Sequence, residues 1–175
     1  VGRILGIKIS RKLFSHIFCL VGPIFKSKKI ITSNIKIFSK NISDTESKGI
    51  IDNMWRNYGK TFIEYIFLDY FRKNNNHMEI VGLNNISEQI EGGKPVIFVS
   101  GHFANFELMS MEITKKNINL ATIYRPLNNF FLNPFMEFLR KKYICKDQIR
   151  KGRSGVKDAI QYINRGYSIA LMIDQ

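Results

Sequence analysis

A chain of 175 residues with 45% hydrophobic content is long enough for one packed domain with a real core and short for two. Lys and Arg number 27 against 14 Asp and Glu, which points to nucleic acid, an anionic membrane or an acidic partner; Ile, Asn and Lys are used heavily throughout, as A/T-biased coding produces, so charge alone selects none of them. Cys19 and Cys145 stand far apart and outside any metal-ligand spacing, which argues against a disulfide framework or a zinc site and for reduced thiols.

The chain starts at Val1 and stops inside the apolar run 168–175, so both ends read as cut. No stretch reaches the roughly 20 uninterrupted apolar residues of a spanning helix, because Arg3, Lys8, Arg11, Lys12 and Lys26 break up the N-terminal region; an anchor is expected only upstream of Val1. Over 10–21, Leu13, Phe14, Ile17, Phe18, Leu20 and Val21 fall near helical spacing, with Lys8, Arg11 and Lys12 before them and Lys26, Lys28 and Lys29 after. Such a basic-flanked amphipathic helix suits either a membrane interface or packing on the domain. Ser43 followed by Glu46 is a capping-box pair, and Ile50, Ile51, Met54, Trp55, Tyr58, Phe62, Ile63, Ile66, Phe67 and Tyr70 repeat at three and four. This predicts a long helix over 44–71 whose aromatic stripe is core, followed by a polar loop at 73–77.

Beyond the loop, strands alternate with helices. The run 95–100 reads as a strand behind the turn-forming Gly92 and Gly93, 106–116 as a helix, and 120–124 as a second strand. A helix follows over 128–143, with Pro126 and Pro134 as irregularities, then a helix over 154–164 ended by Gly166 and a strand over 168–173. Strand then helix, repeated, predicts an α/β fold with a parallel or mixed sheet flanked by helices. Residues 1–77 are expected as an N-terminal helical, membrane-proximal region and 78–175 as an α/β core cut short at its C-terminus, together forming one structural domain.

The sharpest local feature is Gly101-His102-Phe103-Ala104-Asn105-Phe106-Glu107, just past the first strand. Ligands and catalytic groups collect at the carboxyl ends of strands in open α/β sheets. Five residues apart on a continuous helix, His102 and Glu107 would point about 140° apart, so they meet only if His102 lies in the loop and Glu107 in the first turn of the next helix. Glu107 would then accept a proton from one ring nitrogen of His102, leaving the other to take a proton from a hydroxyl. The motif has no nucleophilic Ser or Cys, so the attacking group belongs to the substrate. The plainer alternative is a structural histidine near a carboxylate. Further on, Ser154 is placed to cap a helix whose amino end, beside Arg150, Lys151 and Arg153, suits a phosphate; the alternative is a solvated basic loop.

The form His-x-x-x-x-Glu after a hydrophobic strand resembles the signature of the glycerolipid and lipid A acyltransferase superfamily. Tyr124-Arg125-Pro126-Leu127-Asn128-Asn129 resembles that family's second block, Arg150-Lys151-Gly152-Arg153-Ser154-Gly155 its basic third block, and Asp174-Gln175 the start of its next. Their order and spacing, with 28–38 and 53–64 upstream, resemble the lipid A lauroyl/myristoyl acyltransferase branch over most of the chain. The resemblance implies a glycerolipid-acyltransferase-like fold and fatty-acyl transfer from acyl carrier protein to a hydroxyl of a lipid A precursor, at the cytoplasmic face of the bacterial inner membrane. It implies His102 as general base with Glu107 as its partner, and Arg125, Arg153, Asn105 and Asp174 as substrate-binding residues. No metal and no cofactor is expected beyond the acyl carrier protein thioester. An anionic inner-membrane surface is an expected partner and nucleic acid is not, since the basic residues are dispersed without a nucleic-acid motif. Backbone amides over 101–105, or Arg125, are candidates for the oxyanion, and Phe130, Phe131, Phe135 and Phe138 for the floor of an acyl groove. The alternatives are another glycolipid or glycerophospholipid acceptor, and a non-catalytic remnant that binds membrane or carrier protein.

Overall fold

The computed structural model describes residues 2–25 and 28–174; Lys26 of the basic flank and Gln175 of the fourth block lie outside the described residues. The chain divides into two units, 1–67 and 68–175.

The first unit is helical: α1 (Gly2–Phe25), α2 (Lys28–Phe38), α3 (Asp44–Glu64) and a 3-10 turn, Tyr65–Phe67. The helix expected over 10–21 is part of the longer α1, which breaks at Gly6, where φ is 72°, a conformation that glycine takes without steric cost. The capping box forms as expected: Ser43 Oγ accepts from the Glu46 N–H at 3.2 Å and Glu46 Oε2 accepts from the Ser43 N–H at 3.0 Å. The helix expected to run to residue 71 instead ends at Glu64, passes through the 3-10 turn and resumes as α4 (Leu68–Lys73). Apolar spacing of three and four fits both helix types, so periodicity could not register the tightening.

Helices α1 and α3 pack through the rings of Phe14, Phe18 and Phe62. They approach so closely at Gly59 that an added Cβ would overlap the Phe14 carbonyl oxygen. Ile31, Ile51 and Trp55 form a small core, and the buried Glu64 carboxylate takes a 2.6 Å bond from the half-buried Arg11. The other face of α1 leaves Ile9, Leu13, Ile17, Leu20 and Ile24 exposed. Among the described residues no helix is long and apolar enough to cross a membrane.

In the second unit four strands form one parallel sheet: β1 (Ile97–Ser100), β2 (Leu120–Tyr124), β3 (Asp147–Arg150) and β4 (Ser168–Met172), in the order β1-β4-β2-β3. Strands β1, β2 and β4 fall where the apolar runs predict them. Strand β3 was not expected: its sequence Asp-Gln-Ile-Arg carries one buried apolar residue, Ile149, too little for an alternation signal. Around the sheet lie α5 (Ser87–Glu91), α6 (Glu107–Lys115), α7 (Leu132–Tyr143) and α8 (Arg153–Asn164). Ala121, Ile149, Ala159 and Ile169 are the centre of a core to which α8 adds Tyr162 and Ile163.

Two helix starts differ from expectation. Helix α7 begins at Leu132 rather than near 128, because Asn129 Oδ1 accepts from the N–H groups of Phe131 and Leu132 and turns the chain into the helix there. Pro134 then falls in the first turn, where its missing N–H leaves no bond unmade. Helix α8 begins at Arg153, not Ser154; its N-cap is Gly152 at φ 142°, without a side-chain capping bond. Ser154 is therefore inside the helix and is not its cap. Since all four described strands run parallel, their carboxyl ends share one edge, and the crossovers through α6, α7 and α8 set what stands there.

Candidate active site

The register of β1 on β4 builds the first half of the edge. Ser100 pairs with Met172, and the Ile173 N–H donates to the Ser100 carbonyl at 3.0 Å. One step beyond, His102 and Asp174 come together: the backbone N–H of His102 donates to Asp174 Oδ2 at 2.7 Å, and its ring Nδ1 lies 2.7 Å from Oδ1. These bonds, the backbone one foremost, hold the Asp174 carboxyl below the usual range. Gly101 is part of this geometry, since an added Cβ would press into the Phe103 ring and come within 3.2 Å of Asp174 Oδ2. The loop folds tightly, with Ala104 at φ 44°, a left-handed conformation that costs about 1 kcal/mol or more outside glycine. Phe106 supports the imidazole edge-on, ring centroids 4.5 Å apart.

Glu107 is the first residue of α6, and His102 lies in the loop before it, as the spacing predicts. The carboxylate is buried and Arg140 of α7 holds it, with Nε 2.8 Å from Oε1 and NH2 on the same oxygen. The amino end of α6 adds a favourable dipole for a negative charge. Arg140 lies on the buried face of α7 with Met136 and Leu139, and its guanidinium stands 5.9 Å from the centroid of the Tyr124 ring. It went unnoticed in the sequence because it opens the basic run Arg140-Lys141-Lys142; the one available signal was its helical spacing from Met136.

The other half of the edge belongs to β2 and β3. Tyr124 pairs with Arg150, and the Lys151 N–H donates to the Tyr124 carbonyl at 2.8 Å. Glu137 of α7 accepts from the Tyr124 hydroxyl at 2.7 Å and from Asn133 Nδ2 at 2.9 Å, with Arg150 NH2 at 3.5 Å. The Tyr124 bond, then the Asn133 bond, lower the Glu137 carboxyl, while burial and then Glu137 raise the Tyr124 hydroxyl. Sequence reading missed this network. Of the sequence-predicted residues, Arg125 follows β2 and is exposed, Arg153 opens α8 and is exposed, and Asn105 is half-buried in the His102 loop. The strand order thus arrays His102, Asp174, Arg125 and then 150–153 in succession along one edge. At the opposite edge, where strands begin, a cleft of about 260 Å³ is lined by Leu120, Lys141, Lys142, Cys145, Asp147 and Tyr167, among others; burial there pushes the Cys145 thiol up to about 11.

A parallel sheet with a histidine, three carboxylates and a row of arginines along its carboxyl edge is the layout of an α/β enzyme with its polar groups gathered at the strand ends. The family described as bacterial lipid A biosynthesis acyltransferase matches residues 1–175, the whole chain, and the chain belongs to that family. It is therefore an acyltransferase of lipid A and lipopolysaccharide biosynthesis. No curated protein matches it.

Proposed function

We propose that the protein moves a fatty acyl group from acyl carrier protein to a hydroxyl of a lipid A precursor at the cytoplasmic face of the bacterial inner membrane, with His102 as general base and Glu107 as the site's acidic partner. The observation that carries this reading is the bond of His102 Nδ1 to a carboxylate. A carboxylate accepts and does not donate, so Nδ1 carries the ring proton of the neutral imidazole and the basic lone pair resides on Nε2.

The step balances without a covalent enzyme intermediate. Nε2 removes the acceptor hydroxyl proton as that oxygen attacks the thioester carbonyl. The tetrahedral oxyanion, met by backbone N–H groups over 101–105 or by Arg125, collapses with cleavage of the C–S bond. The carrier thiolate takes the proton back from the imidazolium; an ester has formed and a thioester has broken. The step draws on no cofactor besides the acyl thioester.

Arg125, Arg153 and Asn105 are assigned to substrate binding. The amino end of α8, capped by a glycine and flanked by Lys151 and Arg153, suits a phosphate of the lipid A precursor or of the donor's pantetheine arm. The formal net charge of +13 fits both an acidic carrier protein and anionic lipid. Each unit adds exposed apolar surface: Leu20 at 78% and Ile24 at 80% on α1, and Phe103 at 80%, Phe130 at 83% and Phe131 at 89% in the loops of the second unit. Such surface suits acyl chains or a lipid interface.

The test is acyl transfer by the purified protein from acyl-loaded carrier protein to a radiolabelled tetra-acylated lipid A precursor. The wild type should form a more acylated product and His102→Ala should lose about 10²–10⁴-fold in rate while keeping its circular dichroism spectrum. A folded His102→Ala that retains wild-type rates removes the base assignment; turnover of a glycerophospholipid acceptor in place of the lipid A precursor removes the acceptor assignment.

A further inference from the structure

We infer that Asp174 is a positioning residue for the reaction, fixing the tautomer and the aim of the His102 imidazole rather than binding substrate. The inference rests on the reading of His102 as the base and deepens it. Asp174 meets His102 twice, once at the backbone N–H and once at ring Nδ1, each at 2.7 Å. The first bond ties the carboxylate to the β1 loop and sets where it stands. The second then presents an acceptor to Nδ1, so the proton stays on that nitrogen and Nε2 is left basic. Sheet register places the pair: Ser100 opposite Met172 brings the residues two further along into contact. Glu107, whose carboxylate is clamped by Arg140, contributes negative charge from a different element, the first turn of α6.

The double contact makes amide substitution unusually informative. A carboxylate offers two acceptor oxygens, whereas an asparagine offers one acceptor oxygen and one NH2 donor. In Asp174→Asn the fixed backbone N–H of His102 claims the oxygen and turns the NH2 toward Nδ1. The ring adapts by moving its proton to Nε2, and the base is lost. Asp174→Ala removes both bonds and leaves the tautomers mixed.

The experiment pairs kinetics with nitrogen NMR of protein labelled with ¹⁵N-histidine, at pH about 9, where an ordinary imidazole is neutral. The sequence holds three histidines, and the spectrum of His102→Gln identifies the His102 resonances by subtraction. Wild type should show a protonated Nδ1 and an unprotonated Nε2 at His102, Asp174→Asn the reverse, and Asp174→Ala a mixture. In the transfer assay kcat should fall by up to about 10⁴-fold in Asp174→Asn, the scale of the same amide substitution in a serine-protease triad, with the KM for the lipid acceptor within about threefold of wild type. An unchanged tautomer in Asp174→Asn, or a loss confined to the acceptor KM, overturns the inference and returns Asp174 to substrate binding. The two readings fail separately: a wild type inactive on the lipid A precursor sinks the acceptor assignment, while the tautomer comparison still decides the role of Asp174.

Discussion

The two units hold their charged groups in different ways. In the first, the buried Glu64 is paired with Arg11, whose side chain keeps 37% of its surface open to solvent; the helices are otherwise joined by Phe14, Phe18 and Phe62 and by the close approach at Gly59. In the second, Glu107 and Arg140 are both buried, at 8% and 10%, and Glu137 is held among Tyr124, Asn133 and Arg150. A half-exposed charge such as Arg11 can relax into solvent when its partner is lost. A buried one cannot. The second unit, where both members of the pair are buried, therefore depends on charge pairing more than the helical unit, where only Glu64 is.

Removing one member of the buried pair should have the largest effect. Arg140→Ala is expected to destabilise the second unit by about 3–5 kcal/mol, read by chemical denaturation, whereas Glu64→Gln, which leaves only the half-exposed Arg11 to be taken up by water, should cost under about 1 kcal/mol; equal losses would erase the contrast. Next in size, Gly59→Leu forces α1 and α3 apart and should cost about 1–3 kcal/mol in the same measurement, without lowering the transfer rate of the folded fraction. Smaller still is the effect of Glu137→Gln, under about 1 kcal/mol at neutral pH after solvent screening. Because the folded-state value of Glu137 lies below its ordinary 4.5, its contribution is present above that pH and fades as pH falls through the lower folded value. The stability gap between wild type and Glu137→Gln should accordingly close in acid. Smallest is Leu20→Ser on the exposed face of α1, expected to change stability by less than about 0.5 kcal/mol while weakening co-sedimentation with anionic vesicles.

How much of this was legible depended on how far apart the interacting residues lie. The capping box at Ser43, strand β2 and the placement of His102 in a loop before Glu107 are local, and spacing alone exposes them. Strand β3 escaped because its stability comes from its neighbour β2 and not from its own polar sequence. Arg140 and Glu137 escaped because a charged residue on a helix reads as solvated until the tertiary structure turns it inward. The meeting of His102 with Asp174 was out of reach for the same reason: both residues were singled out, but only the register of β1 on β4 puts them together.

That register also sets a time order. Strand β1 lies at the edge of the sheet and pairs only with β4 among the described strands, and the two members of the His102–Asp174 bond stand 72 residues apart. A growing chain thus makes its histidine long before the carboxylate that orients it, and β1 waits for a partner until the last of the four strands has been synthesised. Pairings of such separation are slow to close. The imidazole is aimed only once β4 has paired with β1, so a chain halted before that strand carries the motif without the means to use it.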